Sequence, residues 1–214
     1  MKRQPGNAIK IYLIFIALFA WFALVAQFYL IIINRTASIP ETIIRYFSFY
    51  TILTNILVAC CAIILWLNPE ARHDHFFSRQ TILAALTLYI IIVGLVYNFI
   101  LRQLWKPQGL QLVVDELLHT VIPIAFLFFW LLFVAKNELK WKNILPWLIY
   151  PFIYALYVLI RGKMSGFYPY PFIDMKKLGF SKVILNCGIL MIVFFVFSLL
   201  LIGIGKLMKK PIIP

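Results

Sequence analysis

Long apolar runs dominate the chain, and they recur six times between short polar segments. Each run is close to the roughly 20 residues that an α-helix needs to cross the hydrocarbon core of a bilayer. None shows the alternating apolar and polar pattern of a membrane-spanning β-strand. The pattern therefore predicts an all-α polytopic membrane protein, with one six-helix transmembrane domain over residues 1–214. The predicted spans, one to six, are residues 9–33, 46–67, 81–101, 113–135, 144–160 and 183–204.

Composition agrees with this prediction, since 64% of the residues are hydrophobic and 13% are charged. A soluble fold of this length could not bury so much apolar surface. The formal net charge is +13, but the Lys and Arg residues lie between the apolar runs, where they set topology and contact anionic lipid headgroups. We therefore expect membrane lipids, and not nucleic acid, as the partner.

The first run, 9–33, is too long for the apolar part of a signal peptide, so we expect it to remain as a span. An even number of spans places both termini on one side of the membrane. That side carries slightly more Lys and Arg than the other, which favours cytoplasmic termini. Compact loops and the lack of a targeting signal are typical of a bacterial cytoplasmic membrane protein.

Polar residues inside the spans gather on one side of the membrane. Because consecutive helices alternate in direction, the start of span two, the end of span three, the start of span four and the fifth connecting segment share that side. The opposite halves of these spans are almost entirely apolar. The clustered residues are Arg45, Ser48, Thr51, Thr54, Asn55, Tyr97, Asn98, Arg102, Asp115, Glu116, His119, Thr120, Tyr168, Tyr170 and Asp174. Their distribution predicts a site in one leaflet.

Span two carries Ser48, Thr51 and Asn55 within a narrow arc, at about 100° of rotation per residue. Such a polar stripe can line a cavity. It can equally bind neighbouring helices through hydrogen bonds, a common use of Ser, Thr and Asn in membranes. Both interpretations stay open on the sequence.

Span four carries Asp115, His119 and Pro123 at intervals of four residues, on one helix face. The Asp115 carboxylate can accept the ring N–H of His119 and fix its tautomer, and Glu116 is a rival for that role. Pro123 has no N–H to donate to the carbonyl of His119, so a kink is expected. Ionisable residues are costly in a membrane and usually serve a function.

A hydroxyl, a histidine and a carboxylate at one depth are the parts of nucleophilic acyl transfer. Ser48 would attack an ester carbonyl, His119 would take its proton, and Asp115 or Glu116 would orient His119. The remaining candidates are oxyanion donors, namely Thr51, Asn55, Asn98 and Tyr170, and headgroup contacts, namely Arg45 and Arg102.

No metal or cofactor is expected. His73, Asp74 and His75 form a short segment without further ligands. His119 is the single histidine inside a span, so haem with two axial histidines is excluded. Cys60, Cys61 and Cys187 lie inside predicted spans and suggest no disulfide framework.

Three segments carry a family resemblance: Arg45 to Phe49, Asp115 to Thr120 with Pro123, and Tyr170 to Phe172. In this order they resemble the androgen-induced and androgen-dependent membrane proteins and their prokaryotic six-helix relatives. Eukaryotic members are described as intramembrane threonine hydrolases of fatty acid esters of hydroxy fatty acids. The resemblance places the family's catalytic threonine on Ser48 and its histidine on His119. Since a serine stands there, Thr51, one turn further on the same face, stays open as the nucleophile.

The sequence thus predicts an intramembrane Ser/Thr-type hydrolase of lipid or fatty acid esters. A small-molecule transporter lined by the same residues is one alternative, although polar residues confined to one leaflet argue against a continuous path. A non-catalytic lipid-binding or scaffold protein, in which these residues hold helices together, is the other.

Overall fold

The computed structural model describes residues 7–67, 75–104 and 106–208, and over these residues it is helical and without strands. Six of its helices are long and apolar enough to cross a membrane. The helices are α1 (Asn7–Ile33), α2 (Ile39–Tyr46), α3 (Tyr50–Leu67), α4 (Gln80–Leu101), α5 (Gly109–Phe133), α6 (Trp141–Ser165), α7 (Met175–Leu178) and α8 (Phe180–Leu207). The short helices α2 and α7 lie in connecting segments. The predicted all-α polytopic bundle with six spanning helices is confirmed.

The predicted start of span two is wrong. The helix expected from residue 46 is divided, because α2 ends at Tyr46 and the chain turns before α3 begins at Tyr50. In this turn the Ser48 hydroxyl donates to the Ile44 carbonyl at 2.6 Å, and the Ser48 carbonyl accepts from the Tyr154 hydroxyl at 2.9 Å. Ser48 therefore precedes the span and does not lie one turn inside it. The other five spans overlap their predicted ranges and differ at the ends.

Small side chains bring α1 and α3 together. Ala20 and Ala23 of α1, and Ala59 and Ala62 of α3, are fully buried in the core. Membrane helices gain little from burying apolar surface away from lipid, so close backbone approach and dispersion contacts hold them together. The helix α4 packs centrally, against α3, α5 and α8, while α6 packs against α8. Large apolar side chains on the outer faces of α1, α6 and α8 stay exposed, as expected of surfaces in contact with lipid.

The helices α4 and α5 each contain a π-helical turn, Tyr97–Leu101 and Leu117–Val121, and the two turns contact each other. Gly94 of α4 allows this close contact. A Cβ atom on Gly94 would lie 3.1 Å from the His119 carbonyl oxygen and 3.2 Å from Cβ of Pro123. π-Helical turns occur often at functional sites, since they shift the side chains of one helix turn out of register. Here one of them carries His119.

Replacing Gly94 by leucine is expected to force α4 and α5 apart and to lower the free energy of unfolding by about 1–3 kcal/mol. The matched control is Gly188→Leu on α8, where an added Cβ would meet no atom within 4 Å. Unfolding of both variants in detergent, by heat or by titration with sodium dodecyl sulfate, measures the difference. Equal stability of the two variants would contradict the close contact at Gly94.

Candidate active site

Two cavities of different character meet inside the bundle. The inner cavity, of about 80 Å³, lies among α3, α4, α6 and α8 and is lined almost entirely by apolar and aromatic groups. The second cavity, which we call the vestibule, measures about 830 Å³ and is lined by apolar side chains together with polar ones from α1, α5 and the connection before α5. Residues that line both cavities mark the junction between them: Thr51, Tyr97, Leu101, His119 and Tyr170.

His119 reaches this junction with its tautomer fixed. Its Nδ1 lies 2.8 Å from the backbone carbonyl oxygen of Asp115, one turn earlier in α5. A carbonyl can only accept, so Nδ1 carries the hydrogen and Nε2 carries the lone pair. Among the described residues, Nε2 has no hydrogen-bond partner. His119 is therefore equipped to accept a proton from a group at the junction.

The predicted orienting carboxylates do not contact the His119 ring directly. The Asp115 carboxylate accepts hydrogen bonds from Gln111 Nε2 at 2.9 Å and from the Tyr97 hydroxyl at 3.3 Å. The Tyr97 ring stacks on the His119 ring with 3.9 Å between centroids and 12° between planes. Asp115 thus positions the Tyr97 side chain by a hydrogen bond, and Tyr97 in turn fixes the orientation of the His119 ring by stacking on it. Glu116 forms an ion pair with Arg102 instead, so its predicted role beside His119 is wrong.

Asn55 and Asn98 support the π-helical turn of α5, and neither lines the inner cavity or the vestibule. Asn55 Nδ2 donates to the Leu118 carbonyl at 3.3 Å and to the Thr51 carbonyl at 2.9 Å. Asn98 Nδ2 donates to the His119 carbonyl at 3.1 Å. Pro123 has no N–H and therefore cannot donate to this carbonyl. The structure therefore uses both amides to bind backbone carbonyls between helices, and not as the predicted oxyanion donors.

Tyrosine hydroxyls cap the first turn of α3. The N–H groups of Tyr50 and Thr51 donate to the hydroxyls of Tyr154 and Tyr170, at 3.1 and 3.3 Å. These N–H groups precede the first intrahelical bonds and need an outside partner within a membrane. The same cap brings the Tyr170 hydroxyl to 3.4 Å from Thr51 Oγ1. Thr51 and Tyr170 are thereby fixed next to each other at the junction.

Ser48, the nucleophile that the sequence predicts, lies elsewhere. It is fully buried, and besides its bond to Ile44 its hydroxyl lies 3.2 Å from the Tyr157 hydroxyl on α6. It lines neither the inner cavity nor the vestibule. The expectation that Ser48 and His119 face a common cavity is wrong for both of these cavities, because the turn at residues 47–49 directs Ser48 towards α6.

Arg45 belongs to an ionic cluster that we call the latch. Arg45 and Arg161 both bind the same oxygen of Glu41, at 2.9 and 2.8 Å, and both guanidinium groups lie over the Phe167 ring. The hydrogen bond from Arg45, followed by the contribution of Arg161, lowers the pKa of Glu41 below its usual value. The latch joins α2 and α6 to the segment that begins at Phe167 and carries Tyr170.

Neither predicted headgroup contact lines the vestibule, since Arg45 is in the latch and Arg102 pairs with Glu116. Among the described lining residues the positive charge comes from Lys106. The sequence predicted no specific role for Gln27, Gln111 or Tyr97, although Tyr97 is one of the clustered polar residues. Gln27 interrupts an apolar span, and Gln111 precedes Asp115 by one helical turn, so the sequence carries a signal for each of them.

Within residues 7–67, 75–104 and 106–208, no group of three or more His, Cys, Asp and Glu side chains could hold a metal ion. His73 and Asp74 lie outside the described residues. Comparison with protein-family models, curated proteins and solved structures found no significant match to the chain. The family resemblance therefore stays a prediction.

Replacing Glu41 by glutamine is expected to release the segment at residues 167–173, since both arginines lose their carboxylate. The lowered pKa of Glu41 implies that the wild-type latch is complete above its usual value of 4.5 and is lost as the pH falls further. Hydrogen-exchange protection factors of this segment, measured from neutral pH to about pH 3.5, test both expectations.

Glu138→Gln, near the opposite end of the bundle, is the control for the loss of a negative charge. Protection of residues 167–173 that is unchanged in Glu41→Gln, or independent of pH in the wild type, would show that the latch does not hold the segment.

Proposed function

We propose that this integral membrane protein hydrolyses lipid or fatty acid esters within the bilayer, with Thr51 as the nucleophile and His119 as the general base. The observation that carries the proposal is the shared lining of two unlike cavities. Thr51, His119 and Tyr170 stand where a small apolar cavity meets a wider cavity that also carries polar side chains. An ester of a fatty acid likewise joins an apolar acyl chain to an alcohol part, and the scissile bond lies between the two.

The two cavities suit the two parts of such a substrate. The first carbons of the acyl chain would enter the inner cavity of about 80 Å³, whose lining includes Ile92, Val93 and Phe194. The alcohol part would lie in the vestibule, which also admits water. This arrangement would present the ester carbonyl to Thr51 and His119, and it agrees with the predicted gathering of polar residues in one leaflet.

The reaction would follow the usual course of covalent ester hydrolysis. Thr51 Oγ1 attacks the carbonyl carbon while its proton passes to Nε2 of His119. The tetrahedral intermediate collapses, the bond to the alcohol oxygen breaks, and His119 returns the proton to the leaving alcohol. Water from the vestibule then attacks the acyl-threonine while His119 takes its proton. The bond between the acyl carbon and Thr51 Oγ1 breaks, the fatty acid is released, and His119 returns the proton to Oγ1.

Tyr170 is the candidate oxyanion donor. Its hydroxyl oxygen accepts the Thr51 N–H at the positive end of the α3 dipole, which polarises the O–H bond. Its hydrogen can be donated to the Tyr154 hydroxyl, to Thr51 Oγ1 or to a developing oxyanion. Tyr170 therefore replaces Asn55 and Asn98 in this role.

The resemblance to the androgen-induced family supports the same reaction class and the same histidine, while it assigns the nucleophile to Ser48. The geometry favours Thr51, because Thr51 lines both cavities and Ser48 neither. The alternatives of a transporter or a lipid-binding scaffold are less well supported, because neither requires a histidine at a junction of cavities whose Nε2 has no partner within the described part of the chain.

We also propose that the membrane is a bacterial cytoplasmic membrane with both termini in the cytoplasm, on the basis of the small excess of Lys and Arg on that side. The vestibule would then open on the extracytoplasmic side. Reporter fusions at the C-terminus, one active only in the cytoplasm and one only outside it, decide the orientation. Activity of the external reporter would reverse it.

Thr51→Ala and His119→Ala are each expected to reduce turnover of long-chain esters by at least about 10³-fold, since each removes a group that acts in the chemical step. Thr51→Ala is also expected to abolish labelling by a fluorophosphonate probe. Ser48→Ala is the matched control, since it removes a buried hydroxyl near the start of the same helix, and it should retain most of the turnover.

Retained activity in Thr51→Ala with loss in Ser48→Ala would return the nucleophile to Ser48. No labelling and no turnover of any ester by folded wild-type protein would refute the hydrolase itself.

A further inference from the structure

The vestibule retains polar groups that the fold does not use. Gln27 accepts a hydrogen bond from Gln111 at 2.8 Å through Oε1, which leaves its own NH₂ group without a partner among the described residues. The Oε1 atom of Gln111 and both amide atoms of Gln108 have no partner there either. Donors and acceptors are therefore mixed in one wall. Such a wall suits hydroxyl groups, each of which donates and accepts.

The charges of the vestibule disfavour an anionic headgroup. The Asp115 carboxylate, 6% exposed, forms part of its inner wall close to the junction. Lys106, at the exposed connection before α5, is the cation among the described lining residues. A phosphate needs several donors and a positive surrounding, whereas this wall offers one ammonium group, several amides and a carboxylate. An uncharged headgroup meets no such penalty.

The volume of the vestibule points to a headgroup of some size. About 830 Å³ lies within the range of small-molecule binding sites and far exceeds what a simple alcohol occupies. The lining of the vestibule also includes apolar side chains such as Ile31, Phe49 and Leu104. A polyol suits such a mixed wall, because its C–H groups pack on apolar side chains while its hydroxyl groups bind the amides.

We propose that the vestibule binds an uncharged, hydroxyl-rich headgroup, so that the substrate is a fatty acid ester of a polyol such as glycerol or a sugar. This inference rests on the proposed hydrolase function for the reaction, but the binding of the headgroup can be measured without it. Gln27, Gln108 and Gln111 would contact the hydroxyl groups, while Asp115 would exclude anions.

Binding is measured with ether analogues that no esterase can cleave. The protein is placed in phosphatidylcholine nanodiscs, since glucoside and maltoside detergents carry the hydroxyl-rich headgroup under test. The probes share one dodecyl chain: 1-O-dodecylglycerol, dodecyl glucoside, dodecyl phosphate and dodecyl methyl ether. We expect the glycerol ether or the glucoside to bind about tenfold more tightly than the methyl ether and the phosphate, as one or two additional hydrogen bonds would give. Whether the glycerol ether or the glucoside binds more tightly distinguishes a glycerol headgroup from a sugar headgroup.

Gln27→Met removes the amide from the wall at nearly constant volume. It should reduce the preference for the hydroxyl-rich probe over the methyl ether by about threefold to tenfold. The matched control is Gln103→Met, an exposed residue that lines neither cavity. Turnover is then compared for the monododecanoyl ester of the preferred polyol and for methyl dodecanoate, as the ratio of their kcat/KM values.

The two proposals fail in different ways. Binding of the polyol ethers without turnover of any ester would refute the hydrolase and leave the headgroup inference standing. Turnover of methyl and polyol esters at equal kcat/KM, with equal binding of all probes, would overturn the headgroup inference and leave the hydrolase. Tightest binding of dodecyl phosphate would show an anionic headgroup and overturn it as well.

Discussion

The candidate site depends on backbone carbonyls that a membrane helix cannot leave unpaired. In α5 the π-helical turn and Pro123 disturb the regular bonding around Leu118 and His119. Water cannot satisfy these carbonyls in the hydrocarbon core, so side chains of other helices must. Asn55 from α3 and Asn98 from α4 donate to them. The irregular turn that presents His119 is therefore tied to two neighbouring helices, and its position follows from the packing of the bundle.

A second group of hydrogen bonds joins the ends of helices to the connecting segments. Tyr154 and Tyr170 receive the first N–H groups of α3 and so fix Thr51 against the segment after α6. The latch, centred on Glu41, secures the beginning of that segment from the other side. Thr51 and His119 thus come from separate helices, yet each is held by contacts that a regular helix would not need.

Sequence reasoning predicted the six spans, the gathering of polar residues at one side and the freed carbonyl of His119, because each depends on local pattern or on the chemistry of one residue. It failed where the outcome depends on contacts between distant residues. The turn at Ser48 is stabilised by Tyr154, more than 100 residues later, and no local signal predicts that bond. Asp115 was expected beside the His119 ring from helix spacing alone, but Gln111 and Tyr97 occupy its carboxylate and leave its carbonyl to the ring.

Tyr170 lines both the inner cavity and the vestibule, yet it belongs to the connecting segment between α6 and α7 and to no spanning helix. Part of the boundary between the inner cavity and the vestibule is consequently a loop. Helices in a tightly packed bundle resist displacement, whereas a loop can change in length and sequence at small energetic cost. The shape of the space in front of His119 can therefore be changed through this one segment, while the helices that hold the histidine stay the same.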